Sequence, residues 1–297
     1  MSETRVGSSK EMSAVSPGKI EVFFTDGWSA YDRGRSPQLI RGLGAARCAC
    51  AVRSFEHAER AGYKTHFIRQ VSETSIHVQE FEVPGKPSLS GVTFGRVIPL
   101  EVLWRIRVAW TLVERIQAGK VTPESLGFRK GQHVVEGMLL PHMLVECTTK
   151  FEPIDRHVSA KEAKVLAGLT DEQYDRALQL VRNCAMLLDR EFDLVSFGLF
   201  DGKKELAITP DGEIVLIDAF GTQDENRIMG LDGPHDKDLL RLELIRLGWK
   251  AELDAAKAKH PDDKSKWPPY PILNRHFLDG VAERYNRVAR RYADADL

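Results

Sequence analysis

Apolar residues recur along this chain in two rhythms, and the architecture is expected to change where the rhythm does. In the first hundred residues short β-branched and aromatic runs dominate. Lys19 to Thr25 (KIEVFFT), His66 to Val71, Ser75 to Val83 and Arg96 to Ala109 read as strands. Between them, Arg41 to Ala61 is alanine-rich and helical, and Gly62 ends it. Pro84 to Gly95 is a breaker-rich connection, and residues 1–18 are small and polar, with Gly7, Pro17 and Gly18 as breakers. Later the helical period takes over: Glu162 to Ala167, Asp171 to Arg190 behind a Thr170-Asp-Glu start, Asp236 to Leu247 and Phe277 to Ala293. A polar loop carrying Pro268-Pro269 separates the last two. The pattern predicts an α+β fold of two lobes, strand-rich over residues 1–110 and mixed α/β over 111–297. A cleft between lobes is where a ligand is expected.

Inside the second lobe, Leu199 to Ala207 and Glu213 to Phe220 read as two strands joined by Thr209-Pro-Asp-Gly212. Around a plain four-residue turn, Lys203 would face Asp218 with Glu205 diagonal to it on the same face. Two carboxylates and an ammonium so placed could hold a divalent cation and phosphate oxygens. A bulge at Gly212 would shift the register by one and separate them. Taken alone, the segment reads more readily as a charged surface hairpin than as a site.

Composition narrows the classes. Hydrophobic residues are 42% and charged residues 29% of 297, which suits a globular protein with a sizeable core. A net charge of -1 gives no bulk attraction to nucleic acid or membrane. Cys48, Cys50, Cys147 and Cys184 lack zinc spacing and disulfide-scaffold density, and no apolar run approaches a membrane span or a signal-peptide core. A cytoplasmic protein of a reducing compartment is expected.

Other motifs are individually modest. Gly7-Ser-Ser-Lys10 is a phosphate-covering turn or a frayed terminus. Thr25-Asp-Gly-Trp-Ser-Ala-Tyr-Asp32 ends a strand with two acids and a serine. Ile98-Pro-Leu-Glu101 leads to Arg105 and Arg107, which share a strand face. Arginine there suits phosphate or a structural salt bridge to Glu101. His133, His142 and His157 show no ligand spacing.

In order, however, these segments resemble the SAICAR synthetase (phosphoribosylaminoimidazole-succinocarboxamide synthase) family over nearly the whole chain. The carriers are Gly7 with Lys10, Thr25 to Asp32, Pro99 with Glu101 and Arg105, and Thr148-Thr-Lys150 with Glu152. They continue with Asp201, Lys203 and Glu205, then Ile217, Asp218, Thr222, Asp224 and Arg227, and Asp236-Lys-Asp-Leu-Leu-Arg241. Pro268 and Tyr285 match the closing turn and helix. The resemblance implies a SAICAR synthetase-like fold and an ATP- and Mg2+-dependent ligase of purine biosynthesis. Such an enzyme joins an aminoimidazole ribonucleotide carboxylate to aspartate through an acyl phosphate. It implies Lys203, Glu205 and Asp218 as catalytic residues, with Glu205 and Asp218 holding magnesium. Gly7, Lys10, Glu101 and Lys203 would serve ATP, with the strand from Arg96 near the adenine. Asp32, Arg105, Thr111 and Arg227 would serve the substrate, the last three at its ribose phosphate.

The chain departs from the family pattern at Ser8, at Trp110-Thr111 for Gly-Ser, and at Arg156-His157 for His-Asp. Leu206-Ala207 stands for Phe-Gly, and Ala219 for the glutamate after Asp218. Two further readings therefore stay open: a paralogue coupling a different carboxylate or amine in specialised metabolism, and a non-catalytic nucleotide-binding protein. A homo-oligomer is also left open.

Overall fold

The computed structural model of the chain describes residues 4–152 and 155–295. Among the described residues the strands form two sheets. The first is built from β1 (Thr4–Val6), β2 (Lys10–Ser16), β3 (Lys19–Phe24), β4 (Phe67–Ser72) and β5 (Ser75–Gln79), hydrogen-bonded in the order β1-β2-β3-β5-β4. The second contains β6 (Arg96–Arg107), β7 (Leu139–Thr149), β8 (His157–Val158), β9 (Gly198–Ile208), β10 (Ile214–Ile217), β11 (Asn226–Gly230) and β12 (Gly233–Pro234). Its order is β12-β11-β9-β6-β7-β8, with β10 paired to β9. The helices are α1 (Leu43–Arg60), α2 (Trp110–Gln117), α3 (Ala160–Ala167), α4 (Asp171–Leu194), α5 (Asp238–Arg246), α6 (Trp249–Lys259) and α7 (Arg275–Tyr292). The α+β class read from the sequence holds.

Several expectations are corrected. Arg96–Arg107, grouped by sequence with the first lobe, lies inside the second sheet between β9 and β7. Its apolar residues say only that it is buried, and its partners are distant in sequence. Residues 4–16, which a frayed terminus would leave unpaired, form β1 and β2, with Lys10 opposite Phe24. The polar stretch before Pro268 contains α6, whose Leu253 and Trp249 are buried while Glu252, Asp254 and Lys259 face outward. The strand β7 and helix α2 carry too mixed a pattern to announce themselves.

One core joins both sheets. Ile20, Val22 and Phe24 of β3 belong to the same buried cluster as Val102 and Trp104 of β6, Phe55 of α1, Leu188 of α4 and Tyr285 of α7. The long helix α4 begins with a capping box, Thr170 accepting from Gln173 N while the Gln173 side chain returns to the Thr170 backbone. The sheets are also stitched by backbone bonds: Leu216 N donates to Lys64 O at 2.9 Å and His66 N to Leu216 O at 3.0 Å. The strand β10 therefore sits at the seam, and the chain leaving it emerges into the space between the sheets.

Beyond β10 the chain makes a turn that α1 and α7 grip. Arg47 Nε lies 2.9 Å from Asp224 Oδ2, Tyr285 Oη donates to Asp224 Oδ1 at 2.9 Å, and Gln223 Nε2 donates to the Tyr285 carbonyl at 2.9 Å. Gly221, at φ 82°, packs so closely that a Cβ would overlap Ser54 Oγ of α1. Asp224 is held below the usual carboxylate range: burial opposes its charge, but Arg47 and Lys237 outweigh it. Removing one member of such a pair strands the other's charge in the interior. Arg47→Met is expected to lower stability by about 3 kcal/mol, with Asp224→Asn recovering part of that in the double variant. Urea unfolding of the three variants checks this.

Candidate functional site

Strand alternation builds the site. On β9, Asp201, Lys203 and Glu205 project from one face, while Lys204 and Leu206 point into the core. The register of β6 sets Glu101 opposite Glu205, Leu103 opposite Lys203 and Arg105 opposite Asp201. On the other side, β7 sets Thr148 opposite Glu101 and Glu146 opposite Leu103. A polar strip thus crosses three adjacent strands, with lysines and glutamates at one end and arginines and acids at the other. Four residues of strand separate Glu205 from Asp201, roughly 13 Å.

The β9–β10 hairpin has the shifted register. Ile217 pairs with Glu205, not with Lys204 as the plain turn requires, and Gly212 sits at φ 85° in the enlarged turn. Such a slip reverses the facing of every later side chain on the strand. Yet Asp218 still reaches the lysines. It leaves the strand in the left-handed region at φ 63°, and its side chain ion-pairs with Lys10 of β2. His66 Nε2 donates to the Asp218 carbonyl at 3.2 Å, supporting that conformation. Burial lowers the His66 pKa to about 4, so the ring is neutral and able to act as this donor.

The lysine–carboxylate end opens on a cleft of about 510 Å³ between the sheets. Lys203 Nζ lies 2.7 Å from Glu101 Oε1, 3.1 Å from Glu205 Oε1 and 3.1 Å from Glu225 Oε2. Lys150 ion-pairs with Glu205 and lies 3.8 Å from Glu101. Burial opposes the charge on Lys10 and Lys203, but the surrounding acids raise both above the ordinary lysine value. Asp218 is driven well below the carboxylate range; burial works against this, and Lys10, Lys203 and Lys150 overcome it. Gly7 lines the same cleft, its N–H donating to Lys10 O at 2.8 Å and closing the β1–β2 turn. Apolar walls from Ile20, Val22, Val78, Phe81 and Val97 continue the cleft away from the charges.

The other end is a clamp of arginines. Arg105, buried, ion-pairs with Asp201 and has Nε 3.7 Å from Glu146. Arg227 Nη1 reaches Asp201 at 2.6 Å and its Nε reaches Asp238 at 2.6 Å. The Trp110 ring covers the Arg227 guanidinium at 5.8 Å, and the indole N–H donates to Asp238 Oδ2 at 2.9 Å. Arg241 adds a 2.7 Å bond to Asp238 Oδ1. Thr111 Oγ1, in the first turn of α2, is buried with no hydrogen-bond partner among the described residues.

The structure thus brings Gly7, Lys10, Glu101, Lys203, Glu205 and Asp218 together around one cleft, and Arg105 and Arg227 onto one acid. Asp32 is not brought in. Its side chain is largely exposed and its nearest cation is Lys257 at 3.4 Å. Burial, Glu101 and Asp32 together raise the Asp155 carboxyl to about 6. Arg156, which reverses the charge of its loop in sequence, is neutralised outside the site by Glu152 at 2.9 Å and Glu162 at 2.7 Å. Sequence reading gave no role to Asp201, Glu146 or Asp238, and it missed Glu225 altogether. Alternation along β9 would have placed Asp201 beside Lys203. Glu225 had no local signal within its polar run.

Carboxylate oxygens are hard donors, and magnesium is commonly held by one or two of them together with substrate phosphates. Glu205 and Asp218 fit that mode. Among the described residues no group of three or more His, Cys, Asp or Glu side chains is arranged as a self-sufficient metal cage. The cysteines are all buried and unpaired, and no described helix is long and apolar enough to cross a membrane.

Comparison with known proteins identifies related chains. The SAICAR synthetase family profile matches residues 4–256. The phosphoribosylaminoimidazole-succinocarboxamide synthase of Thermoplasma volcanium is 35% identical, over 93% of this chain and 97% of its own. That of Thermoplasma acidophilum is 30% identical over 94% and 98%. Among solved structures, a type-2 SAICAR synthetase in complex with ADP superposes with a TM-score of 0.71 at 22% identity, covering 99% of this chain and 98% of that one. The Saccharomyces cerevisiae SAICAR synthase complexed with SAICAR gives 0.72 at 17% identity, covering 99% and 96%. Sequence match and shared fold together show that the chain belongs to the SAICAR synthetase family.

Proposed function

We propose that the protein is an ATP- and Mg2+-dependent ligase that joins the carboxylate of an aminoimidazole ribonucleotide to the amine of aspartate. The observation that carries this reading is the continuous polar strip on β6, β7 and β9, with a lysine–carboxylate cleft at one end and paired arginines at the other. A carboxylate is a poor electrophile toward an amine. Transfer of the γ-phosphoryl group of ATP to it gives an acyl phosphate and ADP; attack by the amine then forms the amide and releases inorganic phosphate.

The apolar walls from Val97 and Phe81 would take the base, and Lys10, Lys150 and Lys203 would turn from their acids to the phosphate oxygens. Glu205 and Asp218 would hold magnesium, which would supply charge neutralisation at the transferred phosphoryl group. Arg105 and Arg227, with the unpartnered Thr111 hydroxyl, would receive the ribose phosphate, so that the reacting carboxylate is delivered toward Lys203. Catalysis here is positioning and neutralisation, which is why both ends must be built before substrate arrives.

A specific observation favours the paralogue as a second reading. Trp110 lies directly over Arg227, where the family pattern has glycine, and its bulk narrows the arginine end.

ADP release by the wild type is expected to require both the aminoimidazole ribonucleotide acid and aspartate. Turnover with another amine and not with aspartate would replace this reading by the paralogue. Glu205→Ala and Asp218→Ala are each expected to lower kcat by about a hundredfold or more; retained magnesium-dependent turnover would refute the metal assignment. Arg227→Ala is expected to raise the ribonucleotide KM by about tenfold or more with a smaller change for ATP, read from steady-state kinetics on variants shown to fold by circular dichroism. Trp110→Gly should change the relative rates across a panel of carboxylates if the ring shapes the pocket.

A further inference from the structure

The turn between β10 and β11 contains a substitution and an unassigned acid, and the two are linked. Ala219 stands where the family pattern has a glutamate, and it is buried against the same cleft as Asp218. Glu225 also lines that cleft. Ala219 and Glu225 belong to one closed turn: Thr222 Oγ1 donates to the Ala219 carbonyl at 3.0 Å, and Glu225 N donates to the Thr222 carbonyl at 3.2 Å. The turn is pinned to β9, where Lys203 N donates to Glu225 O at 2.9 Å, and Asn226 Nδ2 donates to Thr222 O at 2.8 Å.

The side chain of Glu225 meets an ammonium that already has two acids. An ammonium has three N–H directions on a flexible stem. Glu101 on β6 and Glu205 on β9 approach Lys203 Nζ from the sheet, at 2.7 and 3.1 Å; Glu225 approaches from the turn at 3.1 Å, outside hydrogen-bond geometry. The three acids form a tripod from three separate elements, and two sheet acids alone would leave the ammonium free to swing toward the turn. The ion pairs at this end of the cleft join four carboxylates (Glu101, Glu205, Asp218, Glu225) to three lysines (Lys10, Lys150, Lys203), while Arg5, Glu80 and Lys86 line it farther along. A buried carboxylate beside a phosphate site is costly unless it orders something.

We propose that Glu225 is a positioning residue that supplies, from the far side of the turn, the carboxylate absent at Ala219. It holds Lys203 in place for phosphoryl transfer, and in this it rests on the ATP-dependent reading above. Repulsion of phosphate by Glu225 sharpens the expectation: its role lies in the rate of transfer and not in nucleotide affinity.

The test uses the full chain and the variants Glu225→Gln, Ala219→Glu and the two combined. ATP binding is measured by calorimetry, and kcat and KM for ATP by ADP release with the ribonucleotide acid and aspartate. Glu225→Gln is expected to lose about tenfold or more in kcat while ATP binds as tightly as to the wild type or more so, and its melting temperature stays within a few degrees. Adding Ala219→Glu should restore most of kcat. Unchanged kcat in Glu225→Gln, a loss that tracks weakened ATP binding or lowered stability, or no rescue in the double variant would each overturn the inference alone. A wild type that releases no ADP would overturn the ligase reading and the inference with it.

Discussion

Mutual neutralisation governs this molecule. Four carboxylates and three ammonium groups pair with one another at one end of the cleft, and none would be tolerable there without the others. Burial alone disfavours the charge on Lys10, Lys203 and Asp218, yet each stays ionised because its neighbours outweigh that cost. The arginine end obeys the same logic, since Asp201 is shared by Arg105 and Arg227 and Asp238 by Arg227 and Arg241. A site assembled this way has its charges in place before any ligand enters, and under the proposed function an arriving phosphate would exchange partners with the acids instead of meeting bare cations.

The backbone serves that exchange in ways a pairing diagram hides. The enlarged turn at Gly212 moves β10 by one residue, and the left-handed conformation at Asp218 reverses the consequence for that one side chain. A buried, neutral His66 bonds to the carbonyl of the same residue. Alternation divides neighbouring lysines as well. Lys203 enters the cleft, whereas Lys204 lies between the Trp104 and Phe220 rings with its pKa lowered to about 7 by burial.

The fold class and most helices were legible because their periodicity is local: Asp171 to Arg190 shows its apolar stripe and its Thr170 start in sequence. Lys203, Glu205 and Asp218 were legible through the order of motifs more than through any one spacing. The sheet membership of Arg96–Arg107 was not, because hydrogen-bond partners of a buried strand leave no trace in its own residues. Glu225 was hidden for a similar reason. Its meaning comes from Lys203 across a turn, and a polar run such as Asp224-Glu225-Asn226 reads as solvated surface until that turn is closed. Asp32 shows the converse, since a motif match does not carry its side chain to the cleft.

The grip of α7 on the β10–β11 turn has a consequence for how the protein matures. Asp224 takes its hydrogen bond from Tyr285, and Gln223 donates to that residue's carbonyl. This helix lies beyond the stretch that matches the family profile and far downstream of the turn it secures. During synthesis both sheets can emerge and pair before α7 exists, so an early intermediate has its strands but not a settled turn. A settled cleft is therefore a late acquisition of the folding chain, gained when α7 docks and the strands already formed receive their last constraint.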